Sequence, residues 1–308
     1  MTRTTAAADA SARRSEVSID AVVVSYNSRE TLRACVEPLA AIPGVGVIVV
    51  DNASPDASLE TVADLPVRAL EAGGNLGFGA GCNLGMAAGK AELLLFINPD
   101  ARIARADLDR LVAVLADEPE VGLVGPRLLD EEGELMLSLR RYQRVGSTWA
   151  QALFLHHLLP RAAWANEIDR APGAYERAAY PEWISGACML ARREALEQIE
   201  GFDPGFFLYC EDMDLCARLR GAGWRVRYEP GAVASHVGGH SAPRSGLLAV
   251  LARSRIRYAR KHGAALSARL QQAGLAVDAL THVVVRLRRP GYARGHAAAL
   301  RAVLERST

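Results

Sequence analysis

The chain has 308 residues, 50% of them hydrophobic, and a formal net charge of +1. This length accommodates one large α/β domain with an appended segment or two modest domains, and the apolar content supplies a core that needs no disulfides. The five cysteines form no CxxC pair and are odd in number, which excludes a disulfide framework and a familiar zinc spacing and favours a reducing compartment.

The sequence contains no segment that we expect to cross a membrane. Residues 1–17 lack the apolar stretch of a secretory signal, and we predict a short disordered tail there. The longest run without charge, residues 72–89, is rich in glycine and carries Asn75 and Asn83. It is too polar to span a bilayer, so we predict a cytoplasmic protein.

Strands and helices alternate through the first 125 residues. Apolar, β-branched runs predict strands at 19–24, 45–50, 67–70, 93–97 and 121–124, with helices at 28–40, 78–88 and 107–116. Because these strands are continuously apolar, they favour a mostly parallel sheet with helices on both faces. Ligands of such α/β folds gather at the carboxyl ends of the strands.

The second half of the chain is less regular. Periodicity is weak from 128 to 180, where the aromatic and apolar patch 149–164 predicts a short amphipathic helix. A strand is predicted at 183–191, helices at 192–199 and 212–221, and a strand at 231–235. Beyond Ala242 the pattern is helical, with interruptions expected at Gly263, Gly274 and Pro290.

The C-terminal part is strongly basic. Residues 245–308 contain twelve Lys or Arg and two acidic residues, so the small net charge of the whole chain conceals a marked asymmetry. An anionic membrane surface or nucleic acid would match this charge, and a pair of solvated basic helices is an equally simple interpretation.

Polar residues close three of the predicted strands. They are Ser25, Tyr26 and Asn27 after the first, Asp51, Asn52 and Ser54 after the second, and Asn98, Pro99 and Asp100 after the fourth. Asp51 can accept hydrogen bonds from a base or ribose, and a proline-fixed turn brings Asp100 to the same edge. Such carboxylates, together with substrate phosphates, typically hold Mg²⁺ or Mn²⁺. Ordinary strand-end turns are the alternative.

Two later features contain groups with acid–base or ligand chemistry. The acidic cluster of Glu211, Asp212 and Asp214 lies at the start of the predicted helix 212–221, where the helix dipole favours ionised carboxylates that could act as a base; a simple capping cluster is the alternative. His236 closes a predicted strand before two glycines and could bind a metal or a phosphate oxygen, although a lone histidine is more often structural.

The glycine-rich stretch 73–85 does not have the GxGxxG spacing of a dinucleotide loop. We predict instead that Asn75 to Phe78, including Gly77, turn into a helix whose first amides approach a bound nucleotide. Tight helix packing by small residues explains the glycines equally well.

Taken together, these stretches resemble family 2 glycosyltransferases of the GT-A fold, and within them the bacterial branch related to rhamnosyltransferases of cell-wall and O-antigen assembly. The resemblance covers residues 19–261. It is carried, in chain order, by VVVSYNS, VIVVDNASPD, NLGFGAGCNLG, FINPDA, GACMLARREAL, GFDPGFFLYCEDMDLCARLRGAGW, HVGGHS and RSRIRYARKHG.

The resemblance implies donor-binding roles at the first strands. Asp51 resembles the acid that contacts the nucleotide, with Ser25, Tyr26 and Asn27 lining the base pocket. The segment from Asn98 to Asp100 occupies the place of the metal-binding DxD motif. Asp100 matches its final carboxylate, whereas Asn98 leaves the motif with one charge fewer.

The resemblance also implies the catalytic residues. Asp212 resembles the catalytic base, with Glu211 beside it, and His236 resembles a late histidine that reaches the metal or the diphosphate. For the domain organisation we predict a GT-A domain, Rossmann-like, over 18–243 and a helical basic segment over 244–308 that could associate with a membrane.

The function implied is that of an inverting glycosyltransferase that requires Mg²⁺ or Mn²⁺. We expect transfer of L-rhamnose from dTDP-rhamnose to a lipid-linked or glycan hydroxyl acceptor in cell-envelope polysaccharide synthesis. The basic segment and the patch 149–164 would hold the enzyme peripherally at the inner, anionic leaflet of the cell membrane.

Two other functions are less compatible with the sequence. A sugar nucleotidyltransferase would require a glycine-rich loop with a basic residue after the first strand, where SYNS stands. A nucleic-acid-binding protein would require aromatic stacking platforms within the basic segment, which offers only Tyr258 and Tyr292. We therefore expect no nucleic-acid partner.

Overall fold

A computed structural model describes residues 18–171, 173–238, 245–285 and 290–305. The predicted tail 1–17 lies outside the described residues, as do the second half of the HVGGHS motif after Gly238 and the predicted domain boundary at 243/244.

The described elements follow the predicted alternation of strands and helices. The strands are β1 (Ile19–Ser25), β2 (Val45–Asp51), β3 (Arg68–Glu71), β4 (Leu93–Ile97), β5 (Ala101–Ile103), β6 (Val121–Leu129), β7 (Leu135–Met136), β8 (Leu139–Arg140), β9 (Trp183–Ile184), β10 (Cys188–Arg192) and β11 (Arg225–His236). The helices are α1 (Leu32–Ala40), α2 (Phe78–Ala88), α3 (Arg105–Asp117), α4 (Val145–Ala152), α5 (Leu155–Leu158), α6 (Arg193–Gln198), α7 (Glu211–Gly221), α8 (Leu248–His262), α9 (Ala265–Val285) and α10 (Pro290–Leu304).

One large sheet forms the centre of the fold. Its strand order is β3-β2-β1-β4-β10-β6-β11-β5, and β7 pairs with β6 at one side. Strands β1 to β4 are mutually parallel and β11 runs parallel to β6, whereas β10 is antiparallel to both of its neighbours. The short strands β8 and β9 form a separate antiparallel pair.

Helices cover both faces of this sheet, as the continuously apolar strands predict. All five residues of β4 are buried. One face packs against α1 and α3 through Leu32 and Leu111, and the other packs against α2, α6 and α7 through residues that include Cys82, Leu196 and Leu215. The predicted α/β class and the two-sided helical cover are therefore confirmed.

The predicted strand 183–191 is divided in the structure. β9 ends at Ile184 and pairs with β8, whereas β10 begins at Cys188 and enters the large sheet. The interruption places Gly186 and Ala187 at the carboxyl edge of the sheet, where they contact candidate site residues.

The interruption expected at Gly274 does not occur, because α9 runs without a break from Ala265 to Val285. A Cβ atom on Gly274 would lie 2.9 Å from the Thr148 side chain and 3.3 Å from that of Trp149. The glycine therefore allows α9 to pack closely against α4, and this packing offsets the low helix propensity of glycine.

The C-terminal helices α8, α9 and α10 share an apolar cluster that contains Ile256, Leu275 and Val303. A second cluster joins α8 to the segment before α7 and to α7 itself through Phe206, Cys210, Met213 and Tyr258. Within the part of the chain that is described, no helix combines the length and apolar character needed to cross a membrane.

Candidate active site

Asp51 ends β2 at the carboxyl edge of the parallel strands, directly beside Ser25 of β1. Its carboxylate accepts hydrogen bonds from the backbone N–H and the hydroxyl of Ser54, at 2.8 and 2.5 Å. The Ser54 hydroxyl also accepts from the N–H of Asn27 at 3.1 Å. The hydroxyl of Ser25 is buried with no partner among the described residues. An unpaired polar group at the end of a strand is available to hydrogen-bond a ligand.

Asn52 links this edge to the glycine-rich stretch. Its side-chain amide donates to the carbonyl of Gly77 at 3.0 Å, and Asn75 accepts from the N–H of Gly77 at 3.1 Å. Gly77 has a φ of 85°, and a Cβ atom there would lie 1.9 Å from the carbonyl oxygen of Phe207. Only glycine allows this approach, which brings the start of α2 against the loop that leads to α7.

Asp100 and His236 meet at the end of the sheet. The imidazole Nε2 lies 3.2 Å from Asp100 Oδ1 and 3.2 Å from the side-chain nitrogen of Asn98. Asp100 Oδ2 accepts from the N–H of Gly238 at 3.1 Å. Burial alone would raise the pKa of Asp100, but the hydrogen bond and charge of His236 and the Gly238 N–H lower it below its ordinary value.

These groups would fit a divalent cation, provided that a phosphate-bearing ligand supplied its remaining ligands. A carboxylate and an imidazole converge, and the other imidazole nitrogen, Nδ1, is buried without a partner among the described residues. Within that part of the chain, no group of three or more His, Cys, Asp or Glu side chains is arranged to hold a metal. Coordination by one or two protein groups plus phosphate oxygens is the arrangement that Mg²⁺ commonly adopts.

The dipeptide of Gly186 and Ala187 connects the Asn98 turn to Asp212. The N–H of Asn98 donates to the carbonyl of Ala187 at 2.9 Å, and the N–H of Gly186 donates to Asp212 Oδ2 at 3.0 Å. A Cβ atom on Gly186 would lie 3.3 Å from Cβ of Asp212. The structure thus brings Asp212 to the same edge as Asn98, Asp100 and His236.

Glu211 and Asp212 begin α7 after two residues in the left-handed region, Tyr209 with φ 68° and Cys210 with φ 64°. Consecutive non-glycine residues in this region are costly, and such strain is concentrated at functional sites. The buried Cys210 packs against Tyr258 and Phe206, which stabilises the turn that delivers the two carboxylates.

The two carboxylates have different surroundings. Asp212 accepts two backbone N–H groups, from Gly186 and from Met213 at 2.8 Å, and the charge of Arg140 favours its ionised form. Glu211 has a buried oxygen, Oε2, without a partner among the described residues. Burial, reinforced by the charge of Asp212, raises the pKa of Glu211 to about 8. Burial also raises the pKa of Asp212. If the two carboxylates share one negative charge, the backbone N–H groups that donate to Asp212 make it the better site for that charge.

The sequence did not single out three residues of this region. Asn52 was noted only as a polar strand end, and Gly186 only as part of the GACMLARREAL motif. Arg140 lies in the stretch 128–180, whose weak periodicity gave no sign of a site. The glycine of that motif, which lies inside the predicted strand 183–191, was the one signal that could have indicated a close backbone contact.

Comparison with known proteins gives a consistent assignment. The family model described as Glycosyl transferase family 2 matches residues 20–199. The N-acetylglucosaminyl-diphospho-decaprenol L-rhamnosyltransferase of Mycobacterium tuberculosis is 34% identical over 214 residues, which are 65% of this chain and 69% of that protein. The rhamnosyltransferase WbbL of Escherichia coli is 46% identical over 59 residues, 19% of this chain and 22% of that protein.

Among solved structures, a mannosyltransferase from Pyrobaculum calidifontis in complex with GDP-Man and Mn²⁺ is similar with a TM-score of 0.55. The match covers 92% of this chain and 85% of that one, at 18% identity. At this identity the likeness shows the fold alone.

Proposed function

The chain belongs to glycosyl transferase family 2, in its rhamnosyltransferase-like branch, and has the GT-A fold; from this premise we propose that it is an inverting, metal-dependent glycosyltransferase. The donor proposed is dTDP-rhamnose, and the acceptor is a hydroxyl of a lipid-linked or other glycan in cell-envelope polysaccharide synthesis. The 34% identity to an enzyme named for transferring L-rhamnose to a diphospho-decaprenol acceptor supports this choice of substrates.

The observation that carries the proposal is the placement of Asp212 beside the Asn98–Asp100 turn. The N–H of Gly186 donates to Asp212, and the carbonyl of the next residue, Ala187, accepts from the N–H of Asn98. A carboxylate that can take a proton therefore stands next to groups that can hold a diphosphate. This is the pairing that displacement of a nucleoside diphosphate by a hydroxyl requires.

In the proposed reaction the acceptor oxygen attacks the anomeric carbon of the donor sugar. The bond from that carbon to the diphosphate oxygen breaks, and its electron pair leaves with the nucleoside diphosphate. Asp212 accepts the proton of the acceptor hydroxyl. Because attack and departure take place on opposite faces of the sugar, the anomeric configuration inverts.

The two neighbouring carboxylates have separate roles in this proposal. Glu211, whose pKa is raised to about 8 by burial and the charge of Asp212, stays protonated at neutral pH. The pair then carries one negative charge, located on Asp212, which has the backbone donors. Two titratable groups with pKa values pushed apart commonly divide acid and base roles in this way.

Asp51, with Ser25, Tyr26 and Asn27, is proposed to bind the base and ribose of the donor, and Asn75, Gly77 and Asn98 to approach its diphosphate. Asp100 and His236 would hold the Mg²⁺ or Mn²⁺ ion. When bound, this ion would supply Lewis-acid stabilisation of the charge that develops on the leaving diphosphate.

We also propose that the enzyme works at the inner face of the cell membrane. The basic segment 244–308, with the boundary predicted from the sequence, would hold it there.

Asp212→Asn tests the central assignment. Sugar transfer should fall by about 10² to 10⁴-fold, whereas the affinity for dTDP-rhamnose should stay within a factor of about two, because the donor is held elsewhere. Transfer would be measured against a panel of nucleotide sugars with and without Mn²⁺, and donor binding by calorimetry. Unchanged turnover in the variant would remove Asp212 from the base role, and absence of transfer from every donor by the wild-type chain would end the proposal.

A further inference from the structure

The stretch RSRIRYARKHG forms most of α8 and presents one face to the segment that leads into α7. Ser254, Tyr258 and Lys261 follow one another at spacings of four and three residues, so their side chains lie on the same side of the helix. Ser254 is only 5% exposed and Tyr258 only 4%. Exposed basic residues would suffice for contact with a membrane, whereas a buried polar face on this helix indicates a second role.

The hydroxyl of Ser254 holds the backbone directly before the proposed base. It donates to the carbonyl of Leu208 at 2.7 Å, and Leu208 immediately precedes the two left-handed residues that lead into α7. The preceding carbonyl, that of Phe207, accepts from the N–H of Phe78 at the start of α2, at 3.1 Å. Two successive carbonyls are therefore held by two different helices at the entrance to the strained turn.

The two hydrogen bonds differ in kind. The one from α2 comes from a backbone N–H and depends on Gly77, where a Cβ atom would lie 1.9 Å from the Phe207 carbonyl oxygen. The one from α8 comes from a side chain, and it depends on the presence of a hydroxyl at position 254. A single substitution can therefore remove the support that α8 gives to the turn.

Loss of this support would affect the position of Asp212. Consecutive non-glycine residues keep a left-handed conformation only when the surrounding contacts over-determine it. With the Leu208 carbonyl released, these residues could relax and rotate the first turn of α7. Asp212 lies in that turn, where its carboxylate accepts from the N–H groups of Gly186 and Met213. The hydroxyl of Ser254 thus acts on Asp212 through the backbone between them.

The charged end of the same face of α8 contacts the chain on both sides of the turn. Lys261 Nζ lies 2.7 Å from a carboxylate oxygen of Asp203 and 2.8 Å from one of Asp214. Arg257 also pairs with Asp203, at 3.0 Å. These two basic residues are therefore engaged in fixing the segment 203–214 to α8.

Resting on the proposed function, in which Asp212 is the base, we propose that Ser254 is a positioning residue for sugar transfer. Its hydroxyl fixes the Leu208 carbonyl and thereby keeps the following turn in the conformation that places Asp212 beside the Asn98–Asp100 turn. The basic C-terminal segment contributes to the reaction through α8, separately from its proposed role at a membrane.

Three substitutions at position 254 test this role. Ser254→Thr and Ser254→Val have nearly the same shape and differ in the hydroxyl, whereas Ser254→Ala removes the hydroxyl without adding a methyl group. In the Val and Ala variants kcat should fall by roughly 10- to 100-fold, while the affinity for dTDP, measured by calorimetry, should stay within a factor of about two. The Thr variant should retain most of the wild-type kcat. Wild-type kcat in Ser254→Ala, or equal kcat in the Thr and Val variants, would overturn the proposal.

Ser267→Ala is the matched control. Its hydroxyl accepts from the side chain of Gln271 at 3.2 Å within α9, so this variant also loses one side-chain hydrogen bond in the C-terminal segment. We expect kcat to be unchanged. Thermal unfolding of every variant ensures that the assays compare folded protein.

Amide hydrogen exchange measured by NMR gives a second readout that does not require transfer. The N–H groups of Gly186 and Met213 both donate to Asp212, so their exchange rates depend on where its carboxylate lies. In Ser254→Ala both should exchange at least about tenfold faster than in the wild-type chain and in Ser267→Ala. A lower kcat with unchanged exchange would mean that the hydroxyl does not act through Asp212, and would overturn the proposal.

The two readouts separate this proposal from the one on which it rests. If the wild-type chain transfers no sugar while Ser254→Ala accelerates exchange, the proposed function is wrong and the control of Asp212 by Ser254 stands. If the wild-type chain is active and Ser254→Ala matches it in both kcat and exchange, the positioning role is wrong and the transferase function stands.

Discussion

His262 and Asp214 are joined by a hydrogen bond of 2.7 Å between the imidazole Nε2 and the carboxylate Oδ1. The Asp214 side chain is fully buried in α7, two residues after Asp212, and His262 ends α8. Lys261 Nζ lies 2.8 Å from the same oxygen, and Arg218 Nε lies 2.7 Å from the other. One buried carboxylate therefore connects a C-terminal helix to the helix that begins with the proposed base.

Asp214→Asn should destabilise the chain strongly. The substitution removes the negative charge but leaves Arg218 and Lys261 beside a buried amide, and breaking a buried ion pair in this way costs about 3 kcal/mol or more. The free energy of unfolding would be measured by urea denaturation. Glu305→Gln is the control, because the Arg253–Glu305 pair is exposed and should contribute less than about 1 kcal/mol. Similar losses in the two variants would contradict the role assigned to Asp214.

Glu211 should make the stability of the chain depend on pH in the neutral range. Burial and the charge of Asp212 raise its pKa from 4.5 to about 8 in the folded chain. Between these pH values the folded state holds a proton that the unfolded state has lost, so stability falls as pH rises.

Glu211→Gln removes this titration. When the pH is raised from 5 to 8.5, the Tm of the wild-type chain should therefore fall relative to the Tm of the variant. We expect the wild-type chain to lose at least about 1 kcal/mol of unfolding free energy relative to the variant, which corresponds to roughly 2–4 °C in Tm. Parallel pH curves for the two proteins would show that Glu211 is ionised in the folded chain throughout this range.

Asp100→Ala should weaken metal and donor binding together. The variant loses the carboxylate that meets His236 at 3.2 Å, and the affinity for dTDP in the presence of Mn²⁺ should fall at least about tenfold. Calorimetric titration of dTDP with and without Mn²⁺ measures both effects. Asp109→Ala, which alters an exposed acid paired with Arg105, should change neither. Unaltered Mn²⁺ dependence in Asp100→Ala would exclude it as a ligand.

Association with a membrane surface should depend on both charge and exposed apolar side chains. The chain should sediment with vesicles that contain anionic lipid at low salt and be released at high salt, because contacts between exposed charges are screened. Leu158→Glu places a charge on an apolar side chain that is 76% exposed and should reduce binding at low salt. Binding that is indifferent to anionic lipid would contradict the proposal of a peripheral location.

The sequence predicted the parallel half of the sheet well, because buried parallel strands are continuously apolar and their polar ends mark the functional edge. It could not predict the direction of β10, since the reversal depends on the route of residues 128–180 and not on the residues of the strand. For the same reason the place of Arg140 was not foreseen.

Glycine was harder to interpret from the sequence. Gly274 has the local pattern of a helix interruption, but contact with Thr148 and Trp149 from a distant helix decides its effect. Gly77 was expected to approach a nucleotide, and the structure shows its close contact with the Phe207 carbonyl. The resemblance to family 2 glycosyltransferases supplied the roles that isolated residues could not.

The cluster of Phe206, Cys210, Met213 and Tyr258 has a consequence for the exchange of parts between related enzymes. The turn that presents the carboxylate pair rests partly on a side chain from α8, so the C-terminal helices cannot be grafted from one transferase to another as an independent unit. A productive chimera must take α8 and the segment 206–213 from the same parent, or redesign the surface on which they meet.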